Sequence, residues 1–120
     1  RITNMEEEIS CVLEALKRNA AWNERMRREH LADALQRATE VRDRTRDTHE
    51  RIVAENKDKR RVKSRIDAEQ EARDTRDRAD WEYCEARRRL AEYQGEPVPT
   101  REDARAKIAD LIKQFVQESE

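Results

Sequence analysis

Residues that stop helices are almost missing from this chain. Its one glycine, Gly95, and its two prolines, Pro97 and Pro99, share one short segment, so residues 1–94 contain neither. Aromatic side chains make up 4% of the 120 residues, and no long apolar run occurs. The first shortage removes the usual breaks from a helix. The second excludes a compact globule, because so little apolar bulk cannot offset the entropy lost on ordering a domain of this size. The third excludes a membrane-spanning helix.

Sets of residues that carry chemistry are missing too. Cys11 and Cys84 lie far apart and match no metal or redox spacing. His30 and His49 are nineteen residues apart, which places each alone on a helix surface. There is no Gly-rich phosphate loop and no His-Glu-x-x-His pair. Carboxylates are plentiful, but a helix surface offers no cavity in which to perturb them. The expectation is a chain that is not an enzyme, with no metal, no cofactor and no small-molecule substrate. Lacking a signal-peptide pattern or a membrane span, it reads as intracellular: cytoplasmic, cytoskeletal or nuclear. Its start at Arg1 reads as a segment of a larger protein.

What is present is charge. Of all residues 46% are Asp, Glu, Lys or Arg, yet the net charge is −1 and the signs are finely mixed. That mixture favours an ordered helix over a self-repelling coil. Acid-first pairs four apart recur, among them Glu14/Arg18, Glu40/Arg44, Glu69/Arg73 and Glu85/Arg89, each worth about 0.2–0.5 kcal/mol. Residues 1–94 therefore predict one long helix, about 140 Å if unbroken at 1.5 Å per residue. A Gly/Pro turn over 95–100 ends it. Thr100 with Asp103 then resembles a capping box, and Ala104, Ile108, Leu111, Ile112 and Phe115 form one stripe, so 101–118 reads as a short amphipathic helix. That helix either folds back on Tyr83, Leu90 and Tyr93 or docks on another protein through its Phe115 stripe.

Apolar spacing in the long segment predicts a coiled-coil seam. Ile2, Met5, Ile9, Val12 and Leu16 alternate steps of three and four. The phase fails at Asn19, Asn23 and His30, which predicts a discontinuity near 19–30, a stutter or a break, where Trp22 fills a local gap. It resumes as Leu31, Ala34, Ala38, Val41, Thr45, Thr48 and Ile52. Past Ile52 the seam is weak, with Val62 and Ile66 among charges, and then turns small: Ala72, Thr75, Ala79, Tyr83, Ala86, Leu90 and Tyr93. The pattern resembles coiled-coil segments of cytoskeletal, centrosomal and kinetochore proteins over most of the chain, with no motif that singles out one family.

The fold expected is thus all-α: a long helix in an elongated, parallel homodimeric coiled coil with a short helical return. Its interface comprises Ile2, Met5, Ile9, Val12, Leu16, Leu31, Ala38, Val41, Ile52, Val62, Ile66 and Leu90. An antiparallel pairing centred near residue 64 is the competing arrangement. It sets Lys59 against Glu69, Glu55 against Arg73 and Val62 against Ile66, but leaves the seam from Ile2 to Leu16 unpaired. Burial of five large side chains outweighs exposed charge and favours the parallel form.

Function follows as expectation. The first reading is a dimerisation and scaffold segment of a cytoskeletal or chromosome-segregation type protein, whose partners are itself and other proteins. Trp81, Ile108, Leu111 and Phe115 are its candidate docking residues. The second is a polyanion-binding module that attaches to microtubules or nucleic acid through residues 57–65. There Lys57, Lys59, Arg60, Arg61, Lys63 and Arg65 stand against one acid. The plainer account of that cluster is a solvated face. No aromatics interleave with it, which argues against single-strand stacking.

Overall fold

The computed structural model describes the backbone of residues 2–119 and the side chains of residues 4–119. The described residues form three α-helices and no strand: α1 over Ile2–Asn56, α2 over Lys63–Glu92 and α3 over Arg101–Ser119. The all-helical class expected from composition holds. The single long helix does not.

The chain leaves the helix at residues 57–62, with no glycine or proline there to stop it. Charge supplies the reason. Helical continuation would stack Lys57 on Arg60 and Arg61, Lys59 on Lys63, Arg60 on Lys63, and Arg61 on Arg65. Each like-charge pair at three or four residues costs about 0.2–0.5 kcal/mol, so the five, less the attractions of Glu55 for Lys59 and Asp58 for Arg61, oppose the helix by roughly 0.5–1.5 kcal/mol. Asp58 is the one acid among them. Val62, extended at φ −112° and ψ 156°, opens α2 without a side-chain cap. The Arg65 guanidinium donates to the Arg60 carbonyl at 2.6 Å and ties the turn.

The discontinuity expected at 19–30 leaves the backbone unaffected: α1 is helical throughout that stretch. Trp22 fills no gap there, being 53% exposed.

Residues 93–100 separate α2 from α3. Gly95 takes φ 93°, a left-handed conformation that carries little cost only without a Cβ. The capping box at Thr100 is formed with Asp in place of the usual Glu. The Thr100 amide donates to Asp103 Oδ2 at 2.9 Å, and the Asp103 amide donates to Thr100 Oγ1 at 3.3 Å. Glu102 and Asp103 in the first turn also suit the helix dipole.

The chain divides into two units. One joins the described residues up to Arg27 with those from Gln94 onward; the other is Arg28–Tyr93. The second is an antiparallel helical hairpin. Its cross-helix contacts climb α1 as they descend α2: Arg42 with Tyr83, Arg46 with Asp80, His49 with Arg76. On α2 the less exposed positions include 65, 69, 72, 76, 79, 83, 86 and 90, alternating four and three, and Tyr93 just past its end continues the series. On α1 positions 31, 35, 38, 42, 45, 49, 52 and 56 keep the same alternation. Ala72 and Ala79 are buried, and Ala86 lies one heptad further on. Small residues at that interval let two helices approach closely.

In the first unit α3 sits with the start of α1, where Ile9 is 6% and Ala104 0% exposed. The expectation set α3 against Tyr83, Leu90 and Tyr93, which belong to the other unit. Tyr83 and Tyr93 instead lie against α1 residues of the hairpin, under the guanidinium groups of Arg42 and Arg28, at 3.9 Å and 5.1 Å from the ring centres.

Candidate interaction surfaces

Three surfaces carry the residues singled out by the sequence. The first is the hairpin seam. Leu31, Ala38, Val41, Ile52 and Leu90, expected to face a second copy, are half-buried in this unit. The seam is unusually polar. The Arg76 Nη1 donates to His49 Nδ1 at 3.2 Å, which leaves the His49 proton on Nε2. Arg46 Nε lies 3.3 Å from Asp80 Oδ1, close enough for an ion pair yet not aligned as a hydrogen bond. Both His49 Nε2 and Asp80 Oδ1 are buried with no protein hydrogen-bond partner. Loss of water around Arg42 works against its charge, but Tyr83 and Asp43 outweigh it and hold the guanidinium above its ordinary value. Such contacts fix register more than they add stability: a one-heptad slip would separate every pair at once.

The hairpin tip is the second surface. Lys57, Lys59, Arg60, Arg61 and Lys63 are exposed around the turn, and Arg65 is half-buried behind it. Arg61 Nη1 reaches Glu69 Oε2 at 4.0 Å, so one of the six charges is partly matched. Val62 and Ile66, expected in the interface, are exposed here at 37% and 42%. Sequence spacing identifies the cluster but not its position at a turn.

The third surface is apolar. In the first unit a groove of about 670 Å³ runs between α1 and α3. One wall is Glu7, Glu8 and Cys11, and the other is Ile108, Leu111 and Phe115. Ile9 is buried beside it, and Val12 and Leu16 are half-buried. Met5 is 59% and Phe115 71% exposed. Ile2, the remaining member of that seam, has a side chain outside the described residues. Trp81 stands apart in the hairpin, 64% exposed, at a cleft of about 200 Å³ that also includes Leu31, Ala34 and Ala86.

Among the described residues no group of three His, Cys, Asp or Glu side chains is placed to hold a metal ion. No helix among them is long and apolar enough to cross a membrane. Cys11 and Cys84 are free and exposed. Comparison with protein-family models, with curated proteins and with solved structures finds no match.

Proposed function

We propose that this chain is a non-enzymatic helical scaffold that self-associates as a homodimer, an assembly segment of the cytoskeletal or chromosome-segregation type. One observation carries the reading: large apolar side chains lie outside while mainly small ones lie inside. Among the described residues the buried core is Ile9, Ala72, Ala79 and Ala104, whereas Met5, Trp22, Trp81, Ile112, Phe115 and Val116 are each more than half exposed. A pair of helices covers only one face of each member and needs a further layer to cover the rest. Sedimentation equilibrium of the 120-residue chain from low to high micromolar concentration tests this. A dimer mass at the upper end is expected; a monomer mass throughout removes the reading.

A second reading draws support from the hairpin tip. Five exposed basic residues meet at one turn, where opposite charges on a long helix would have diluted them. Such a tip attracts polyanions, whether nucleic-acid phosphates or the acidic surface of a microtubule. The test is co-sedimentation with microtubules over a salt series, with duplex DNA as competitor. Binding to DNA should weaken with a log–log slope of about −0.9 per phosphate contacted. Replacing Lys59, Arg60, Arg61 and Lys63 with Gln should abolish binding to either polymer. Wild-type indifference to both at low salt removes this reading.

A further inference from the structure

We propose that the groove between α1 and α3 receives α3 of a second copy of this chain, so that two first units close into a four-helix bundle about a two-fold axis. The inference rests on the scaffold reading and names the surface that serves it.

The groove itself defines its occupant. One wall is apolar, made by Ile108, Leu111 and Phe115, and the other is mixed, with Cys11 and Val12 beside the two acids Glu7 and Glu8. An occupant therefore needs an apolar stripe with basic residues beside it. α3 meets both requirements. At 100° per residue its stripe of Ala104, Ile108, Leu111 and Phe115 is flanked by Arg105 on one side and Lys107 on the other, both exposed. Seating that helix in the partner's groove sets one of these basic residues, Lys107, toward Glu7 and Glu8 and its stripe against the partner's stripe. A two-fold axis repeats the arrangement, so the same face is used on both copies. The half of α3 that holds Ala104 is already covered within the chain, and the half that holds Leu111 and Phe115 is open. Four helices joined in this way cover both faces of each, which the two-helix unit alone does not.

Two cysteines supply the test. Cys11 lines the groove, Cys84 lies in the hairpin, and both are exposed. Alkylation of each thiol is followed by mass spectrometry as the full chain is taken from dilute to concentrated, alongside its sedimentation. Cys11 labelling is expected to slow as the dimer forms while Cys84 keeps its rate. Phe115→Glu, at a site open to solvent, should preserve the helix signal yet raise the dimer Kd roughly 1,000-fold, about 30-fold for the anchoring side chain lost from each copy. Glu8→Lys and Lys107→Glu should each weaken the dimer severalfold, and the two together should recover it. A dimer in which Cys11 reacts as fast as in the monomer overturns the groove assignment and leaves the scaffold reading standing. A charge-reversed pair that fails to recover overturns the assignment in the same way. A chain that stays monomeric overturns both.

Discussion

Replacing Ala79 with Leu should destabilise the hairpin, while the same change at Ala72, one heptad earlier, should not. Ala79 is 4% exposed and sits on α2 between the His49–Arg76 and Arg46–Asp80 contacts, which hold the two helices close on either side of it. The extra carbons of Leu press on those contacts. Overpacking of this kind costs about 1–3 kcal/mol. Ala72 is 8% exposed, but it borders a cleft of about 310 Å³ shared with Thr45, Thr48 and Ile52. Leu there fills open space. Three added carbons at about 0.8 kcal/mol each, less about 0.5–1 kcal/mol of side-chain entropy, leave a gain of about 1–2 kcal/mol. Urea unfolding followed by helical circular dichroism reads both changes. With m near 1 kcal/mol/M for a unit this small, the two midpoints should separate by about 2 M or more. A parallel dimer makes the opposite prediction, because Ala79 would face its own copy and Leu would deepen the seam. An Ala79→Leu midpoint at or above wild type therefore refutes the hairpin packing.

Two further outcomes test the seam and the surface of α2. His49→Leu removes the acceptor for Arg76 and should cost about 1–2 kcal/mol, whereas His49→Leu with Arg76→Leu should recover most of it; strictly additive losses would show that the pair is not coupled. The Arg88 hydrogen bond holds the Glu85 carboxyl below its ordinary value of 4.5. Its contribution is therefore fully present above pH 4.5 and lost as pH falls through the lowered value, so Glu85→Gln should flatten the acid limb of a helicity titration below that pH. An unchanged limb would assign the acid loss to other carboxylates.

The parts legible in the sequence are those written in spacing and backbone chemistry. Gly95 and the prolines locate the turn before α3, and Thr100 with Asp103 locates its start, because caps and breaks act within a few residues. The α3 stripe is legible for the same reason. The seam of α2 is legible nearly in phase from Ala72 to Tyr93, except that Arg76 rather than Thr75 takes the inward position. What the seam packs against is not legible, since a 3.5-residue repeat states that a partner exists but not which chain supplies it. The competing antiparallel arrangement, a relation between two chains centred near residue 64, has a counterpart within one chain, but its contacts centre near residue 63 and Glu69 meets Arg61 in place of Lys59. Individual ion pairs are also poorly specified: Glu85 meets Arg88 three residues on, not Arg89 four on, because long side chains choose among neighbours. The break at 57–62 is hidden because neither glycine nor proline marks it. Its signal lies in the same six basic residues that the spacing offers as a polyanion site.

If charge repulsion makes the turn, reversing charge should unmake it. Replacing both Arg60 and Arg61 with Glu puts an acid three and four residues after Lys57, three before Lys63 and four before Arg65. Four repulsions of about 0.2–0.5 kcal/mol become attractions of similar size and the Asp58–Arg61 attraction becomes a repulsion, a net swing of roughly 1–3 kcal/mol toward continuous helix. Straightening α1 into α2 separates the hairpin within one chain. Two opened chains laid antiparallel can restore Arg42 on Tyr83, Arg46 on Asp80 and His49 on Arg76, now between copies. The exchange keeps the interhelix contacts and trades a repulsive turn for the entropy of association. The double variant should therefore dimerise through residues 28–93 even in a Phe115→Glu background, where the α3 groove cannot supply the contact. Helix content should rise as residues 57–62 join the helix. Wild-type tip residues in the same background should leave the chain monomeric. A charge-reversed chain that stays monomeric, with helix content unchanged, would show that something other than like-charge repulsion bends it. Val62, extended and without a side-chain cap ahead of α2, would then be the residue to change next.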